Sequence, residues 1–459
     1  MNPGSPLHSW LYARPRDFVY RRVFQTAQAF MQVEAASGMV LLIAAVAAMI
    51  WANSPWDNSY FDLWRTEVFV HADIFSIDLD LREWVNDGLM TLFFFLMGLE
   101  IKRELVHGEL SSPRRALLPA AGALGGMIAP ALIYTAFNAG GDGARGWGIP
   151  MATDIAFAVG VLSLLSGRIP FSIKVFLLAL AIADDIGAIV VIAVFYTADM
   201  DFLALGLAGA TLSLIFAMNR SGVRSIDVYV AVGAVFWLTM LESGVHATIA
   251  GVILGLMAPA SSFYGRDTFT EDAEDLVNRF RVAHASGQQE VEQGILSQME
   301  DLAQGTEAPL DRLERVLHPW VSFLIVPLFA LANAGVRLSG DVASAAVESS
   351  ISQGVAIGLL AGKPLGIFLL TWLAVRLRLC DLPIGATWLQ ILGVGMLGGI
   401  GFTVALLITD LGFDSEALID EAKLGVLAAS LASGVIGFLF LWFTTRNRRT
   451  PYPEAEPAA

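Results

Sequence analysis

Apolar runs long enough to cross a bilayer constrain this chain more than any other feature. About twelve lie near 36–53, 84–101, 116–138, 151–166, 172–197, 202–219, 226–242, 244–259, 317–335, 352–375, 388–409 and 424–444. A helix of about 20 residues spans the hydrocarbon core of a bilayer. The chain therefore reads as an all-α, polytopic membrane protein. Only 15% of its 459 residues are charged, against about 25% in a soluble domain. The first run resembles a signal peptide, because basic residues precede it and small residues lie inside it. Eleven further runs favour a retained helix. The net charge of −15 comes mostly from loops and termini and is no nucleic-acid signature. The single cysteine, Cys380, excludes an intrachain disulfide.

Basic residues alternate along the loops. The N-terminal tail, the even-numbered loops and the C-terminus hold 17 lysines and arginines, leaving out the long loop near 260–316. The odd-numbered loops hold only Arg65, Arg82, Arg145, Arg337 and Lys423. Positive residues favour the cytoplasmic side, so both ends are expected there. The expected organisation is a cytoplasmic tail at 1–30, one transmembrane domain at 31–447 and a second tail at 448–459.

Two extramembrane pieces differ from the rest. The loop 260–310 is acidic, with Leu276, Phe280, Val291, Ile295 and Met299 spaced as in short amphipathic helices. It reads as a solvated cytoplasmic insertion, or more sharply as a regulatory arm. The stretch "TEVFVHADIFSIDLDLREW" (66–84) alternates polar and apolar residues, which favours a strand pair turning at His71-Ala72-Asp73. An isolated hairpin is marginal in water, so its edge would gain from a partner. The pattern alone fits a homodimer contact and a hairpin lying on its own protein equally.

The central feature is chemical. "LALAIADDIGAI" (Leu178–Ile189) places Asp184 and Asp185 side by side inside an apolar run. A charge at mid-membrane costs at least about 2.5–3.5 kcal/mol, and such residues usually line a cavity or pair with something. Neighbours on a helix point about 100° apart, so the carboxylates are adjacent without sharing a face. Two carboxylates this close resist joint ionisation, so the pair can hold protons or a hard cation that prefers oxygen ligands. Other polar groups converge on it. "PMATDIAFAVG" (Pro150–Gly160) puts Thr153 and Asp154 in a run interrupted by glycine. "AGKPLGI" (Ala361–Ile367) puts Lys363 inside another run, where it needs a carboxylate partner unless it snorkels. "GVGMLGGIGFT" (Gly393–Thr403) is either a close packing face or an unwound stretch.

These stretches, with "FLMGLEIKREL" (Phe95–Leu105), "SGVHATIAGVI" (Ser243–Ile253) and "HPWVSFLIVPLFALANAGV" (His318–Val336), resemble the NhaA family of sodium/proton antiporters over about residues 36–445. The family is itself a type example of inverted repeats and discontinuous helices, so that architecture comes with the resemblance. It implies about twelve transmembrane helices, two of them broken and crossing near the midplane. It makes Asp184 and Asp185 the ion-binding pair for sodium or lithium, with Asp185 the expected partner of Lys363. Thr153 and Asp154 fall at one break, and Gly399 and Thr403 at the other. Asp154 would compensate positive helix N-termini, and Lys363 negative C-termini. Glu100, Arg103, Glu104, Glu314 and His318 match a cytoplasmic pH-response cluster, and His246 matches a further histidine linked to pH. Arg315 stands where the family commonly has a histidine, and Asp311 where it has a lysine. Arginine does not titrate near neutral pH, so the family's pH threshold does not carry over.

The resemblance implies electrogenic exchange of sodium for protons in a bacterial inner membrane, serving pH and salt homeostasis. It implies no cofactor, no nucleic-acid partner and no enzymatic activity. A sodium-coupled symporter of an organic solute is the alternative. An intramembrane aspartyl protease also uses two membrane aspartates, but its GxGD-type motif is absent.

Overall fold

The computed structural model describes residues 35–446 apart from 73–74, 166, 198–199, 222, 224–225 and 263–264. The expected tails at 1–30 and 448–459 lie outside the described residues. Among those described, seven helices are long and apolar enough to cross a membrane, or nine if each of two bent pairs is one span. The first, Ala35–Ala52, follows the expected run to within a residue.

Three expected spans are met by shorter α-helices. Met90–Val106 continues a π-turn at Trp84–Leu89, Ile226–Glu242 has 17 residues, and Thr248–Met257 has ten. The span expected at 151–166 begins earlier, as a 3₁₀ helix at Asp142–Met151, and resumes as an α-helix at Ile155–Ser163. The two pieces are bent by 42°. The second bent pair joins Trp388–Gly398 to Phe402–Gly412 at 45°.

The helices sort into two packed groups. In one, Pro113–Asn138 lies along Lys363–Arg376 and Phe171–Phe195, while Glu416–Thr445 lies along Ser350–Ile357 and Trp388–Gly398. Glycines set the closest approach: a Cβ on Gly125 would strike the Gly366 carbonyl, and one on Gly366 the Gly125 carbonyl. Small residues of this kind let membrane helices pack backbone to backbone. In the other group, Met90–Val106 lies along Thr248–Met257 and Pro309–Trp320, and Phe202–Arg220 along Ile226–Glu242. Gly98, Gly251 and Gly255 make the same kind of contact there.

The strand pair forms as expected, with Glu67–Ala72 antiparallel to Phe75–Asp80. Its register pairs His71 with Ser76 and Ala72 with Phe75, so both residues belong to a strand. Asp73, the third residue of the expected turn, lies outside the described residues. Asp80 then caps the next helix in a capping box with Glu83.

The acidic loop folds into longer helices than the short ones expected, Arg266–Ala285 and Gln289–Thr306. Gly287, at φ +67°, makes the turn between them. They pack through Leu276, Ala283, Ile295 and Leu302, joined by Phe280 and Met299. Val291 instead faces solvent, at 47% exposure.

Candidate functional site

Asp184 and Asp185 sit in the middle of Phe171–Phe195, each only 2% exposed. A 25-residue apolar helix tolerates them because neither carboxylate meets lipid. Their directions differ, as successive helical residues must. Asp184 points to Lys363, and the ammonium bonds its Oδ2 at 2.5 Å. Asp185 lines a cavity with Glu100, Asp154, His318 and Thr403. The expected pairing of Lys363 with Asp185 is therefore corrected to Asp184: the roughly 100° step turns one carboxylate to the lysine helix and the other to the cavity.

Lys363 is fully buried. It follows a π-turn at Gly358–Gly362 and precedes Pro364, which has no N–H to give the helix. Its ammonium also donates to the carbonyl of Met151, the last residue of the 3₁₀ helix. A cation at a helix C-terminus offsets the partial negative charge of unpaired carbonyls.

The two breaks meet. The Asp154 amide donates to the Ile400 carbonyl at 2.6 Å. The Thr153 hydroxyl donates to the Gly398 carbonyl at 2.9 Å, satisfying a helix end. Asp154 serves two N-termini at once. Its Oδ1 accepts from the Phe157 amide at 3.1 Å, capping its own helix. Its Oδ2 accepts from the Thr403 amide at 3.2 Å and hydroxyl at 2.8 Å, at the start of the other. One negative charge thus faces two positive helix ends.

Gly399 adjoins the break, where a Cβ would meet the Leu359 carbonyl and the Ser433 hydroxyl. The glycine-rich stretch serves both purposes open from its sequence. Gly393 packs on Leu441 and Gly395 on Pro364, while 399–401 unwinds.

Three carboxylate oxygens in this buried region, Asp184 Oδ1 and both oxygens of Asp185, accept no hydrogen bond among the described residues. A buried oxygen without a donor is costly, so this arrangement suits a proton or a cation. Among these, both Asp185 oxygens belong to a residue that lines the cavity.

The expected pH-response residues divide. Glu100 and His318 line the cavity with Asp185. Arg103 pairs with Glu314, and neither is among the residues lining the cavity. Glu104 accepts from the Glu109 amide at 2.9 Å, where its helix ends. His246 lies elsewhere: its Nε2 is 2.6 Å from the Tyr196 carbonyl, at the end of the helix bearing the aspartates. Arg315 pairs with Glu307, the residue following the acidic helical hairpin.

Sequence reasoning missed the network of Arg82, Asn86, Asn333, Asp410 and Lys423, described below. Arg82 and Lys423 were read only as loop charges. The signal lay in Asp410, an acid one residue past the apolar run at 388–409 and still within the helix Phe402–Gly412.

A family profile described as "Na+/H+ antiporter 1" matches residues 28–441. The chain is 47% identical over 434 residues to Na(+)/H(+) antiporter NhaA 2 of Sorangium cellulosum, covering 94% of this chain and 92% of that one. It is 45% identical over 428 residues to an NhaA antiporter of Koribacter versatilis, covering 93% and 92%. Against NhaA 1 of Klebsiella pneumoniae the identity is 47% over 418 residues, covering 90% and 95%.

Proposed function

The chain belongs to the Na+/H+ antiporter 1 family, and on that premise we propose that it exchanges sodium or lithium for protons at the Asp184/Asp185 pair. It is a multi-pass membrane transporter, not an enzyme. The relatives above are named sodium/proton antiporters, which gives the organic-solute symporter no support.

The observation that carries the site is the pair of undonated Asp185 oxygens in the cavity, with a third undonated oxygen on the neighbouring Asp184. Facing the cytoplasm, the deprotonated pair accepts one cation. The loaded site turns outward, releases the ion and takes up protons. Proton and cation compete for the same oxygens, so coupling needs no separate device. If both carboxylates return protonated, two protons enter for each sodium that leaves, and one net charge crosses. If Lys363 carries one of those protons, the count stands and its carrier changes. Asp154, Thr153, Gly399 and Thr403 hold the crossing that lets the site move. Glu100, Arg103, Glu104, Glu314, His318 and His246 tune the response to pH. No resident cofactor takes part.

The finer architecture follows the family. Twelve transmembrane helices are arranged in inverted repeats, with both termini cytoplasmic in a bacterial inner membrane. The domain at 31–447 carries the acidic hairpin as an insertion. A homodimer forms through the strand pair near 66–84, whose edges lack a further strand among the described residues.

The test is sodium-driven dequenching of a pH dye in everted vesicles, scanned over pH and cation. The reading predicts dequenching by sodium or lithium that is absent with potassium. Solute-dependent sodium uptake without proton movement would contradict it.

A further inference from the structure

Five polar side chains meet where the two helix groups touch, away from the cavity. Arg82 donates from Nε to Asn333 Oδ1 at 3.0 Å and from Nη2 to Asp410 Oδ1 at 3.1 Å. Asn86 Nδ2 donates to Asp410 Oδ2 at 3.3 Å. Lys423 Nζ lies 3.0 Å from Asp410 Oδ1. Asn333 Nδ2 donates to Asn86 Oδ1 at 2.7 Å. Lys423 is 2% exposed, the Asp410 side chain 13% and the Arg82 side chain 34%.

Membership of the two groups divides this network. Arg82 and Asn86 lead into Met90–Val106, and Asn333 ends Val326–Asn333. Asp410 lies in the last turn of Phe402–Gly412, and Lys423 on Glu416–Thr445. Val326–Asn333 packs on Trp84–Leu89 and Met90–Val106, and Phe402–Gly412 on Glu416–Thr445, so the first three belong to one group and Asp410 and Lys423 to the other. The cavity opens the same seam further along the same helices. At 1.5 Å per helical residue, Asn86 lies about 21 Å along its helix from Glu100 in the cavity. One end of the seam is open toward Asp185, and the network closes the other.

We propose that Arg82, Asn86 and Asn333, clasped on Asp410, form a latch that holds the outer end of the seam shut and must part for the site to face outward. The partition makes the parting feasible. When Asp410 moves away with its own group, it keeps Lys423 and is never left as an unpaired buried charge. Asn86 and Asn333 keep each other, and half-exposed Arg82 can be hydrated. Arg65 and Glu416 also pair nearby, but both are mostly exposed, and exposed pairs contribute little.

This inference rests on the antiport reading, so its test separates the two. In a Cys380→Ser background, Ala334→Cys places a reporter beside Asn333, at a fully buried position. Arg82→Gln should raise its labelling by an impermeant maleimide on intact cells by about tenfold, as the outward-open population grows. Lys423→Met leaves the clasp between groups in place and should not raise labelling. Separately, in a Lys423→Met background that leaves no stranded ammonium, Arg82→Cys with Asp410→Cys, joined by a short bismaleimide, should stop exchange, while the same variant left unjoined keeps exchanging. Persistent exchange in the joined protein overturns the latch, whatever the labelling shows. Absence of exchange in the Cys380→Ser parent would instead overturn the antiport reading.

Discussion

Asp184 and Asp185 differ in what a substitution removes. Asp184→Asn takes the counter-charge from a buried lysine, whereas Asp185→Asn removes the charge and one of two oxygens that no donor among the described residues satisfies. Both single variants should abolish sodium-driven dequenching, and near-normal exchange by both would refute the site. Their stabilities should differ. Breaking a buried ion pair costs about 3–5 kcal/mol because the partner is stranded. Lys363→Ala and Asp184→Ala should each lower the thermal midpoint in detergent, and the double variant should lose less than the sum. The cycle of Lys363 with Asp185 should be close to additive. Coupling found at Asp185 instead would restore the pairing first expected from the sequence. That pairing shows where legibility ended at this scale. Adjacent acids in an apolar run announced the site, but which carboxylate meets the lysine depends on the helix's rotation about its axis, and that is set by its neighbours.

The breaks are the elements on which the proposed movement turns. Thr403→Val keeps the volume of the side chain but removes one of two donors to Asp154 Oδ2. Leaving a buried acceptor short of a donor costs about 1–3 kcal/mol, so the variant should melt earlier and exchange more slowly. Unchanged melting and rate would show that the Asp154 bridge carries little. Gly399→Val should be worse, since its Cβ meets a carbonyl and a hydroxyl that cannot both retreat. The breaks were legible because glycine, proline and polar residues interrupt apolar runs. Their limits were less so: the 3₁₀ helix at Asp142–Met151 lies largely outside the apolar window, and its amides are met by tertiary partners such as the Tyr196 hydroxyl, which accepts from Gly148 at 3.1 Å. The acidic loop likewise revealed its helices by spacing, but not their length, because Leu276 and Ile295 bury each other only once the Gly287 turn brings the helices together.

Across the whole molecule, the alternation of basic residues and the apolar runs made a polytopic protein legible, while the two-group packing was not. That packing depends on glycines meeting glycines, as Gly125 meets Gly366, at positions far apart in the chain. Two predictions belong at this scale. Replacing 67–80 with a short linker should leave a monomer by light scattering in detergent, and a persisting dimer would remove the hairpin from the interface. Unequal charge transfer should also make exchange in proteoliposomes respond to an imposed potential, whereas indifference to potential would mean one-for-one exchange. The central claim, that protons and sodium share the Asp184/Asp185 oxygens, is tested most directly by calorimetry of sodium binding to the detergent-solubilised protein. At a pH where the pair is protonated, sodium must displace protons, so the measured heat should scale with the ionisation enthalpy of the buffer, and both sodium binding and that dependence should vanish in Asp184→Asn/Asp185→Asn. Sodium binding whose heat is the same in every buffer would contradict a shared site.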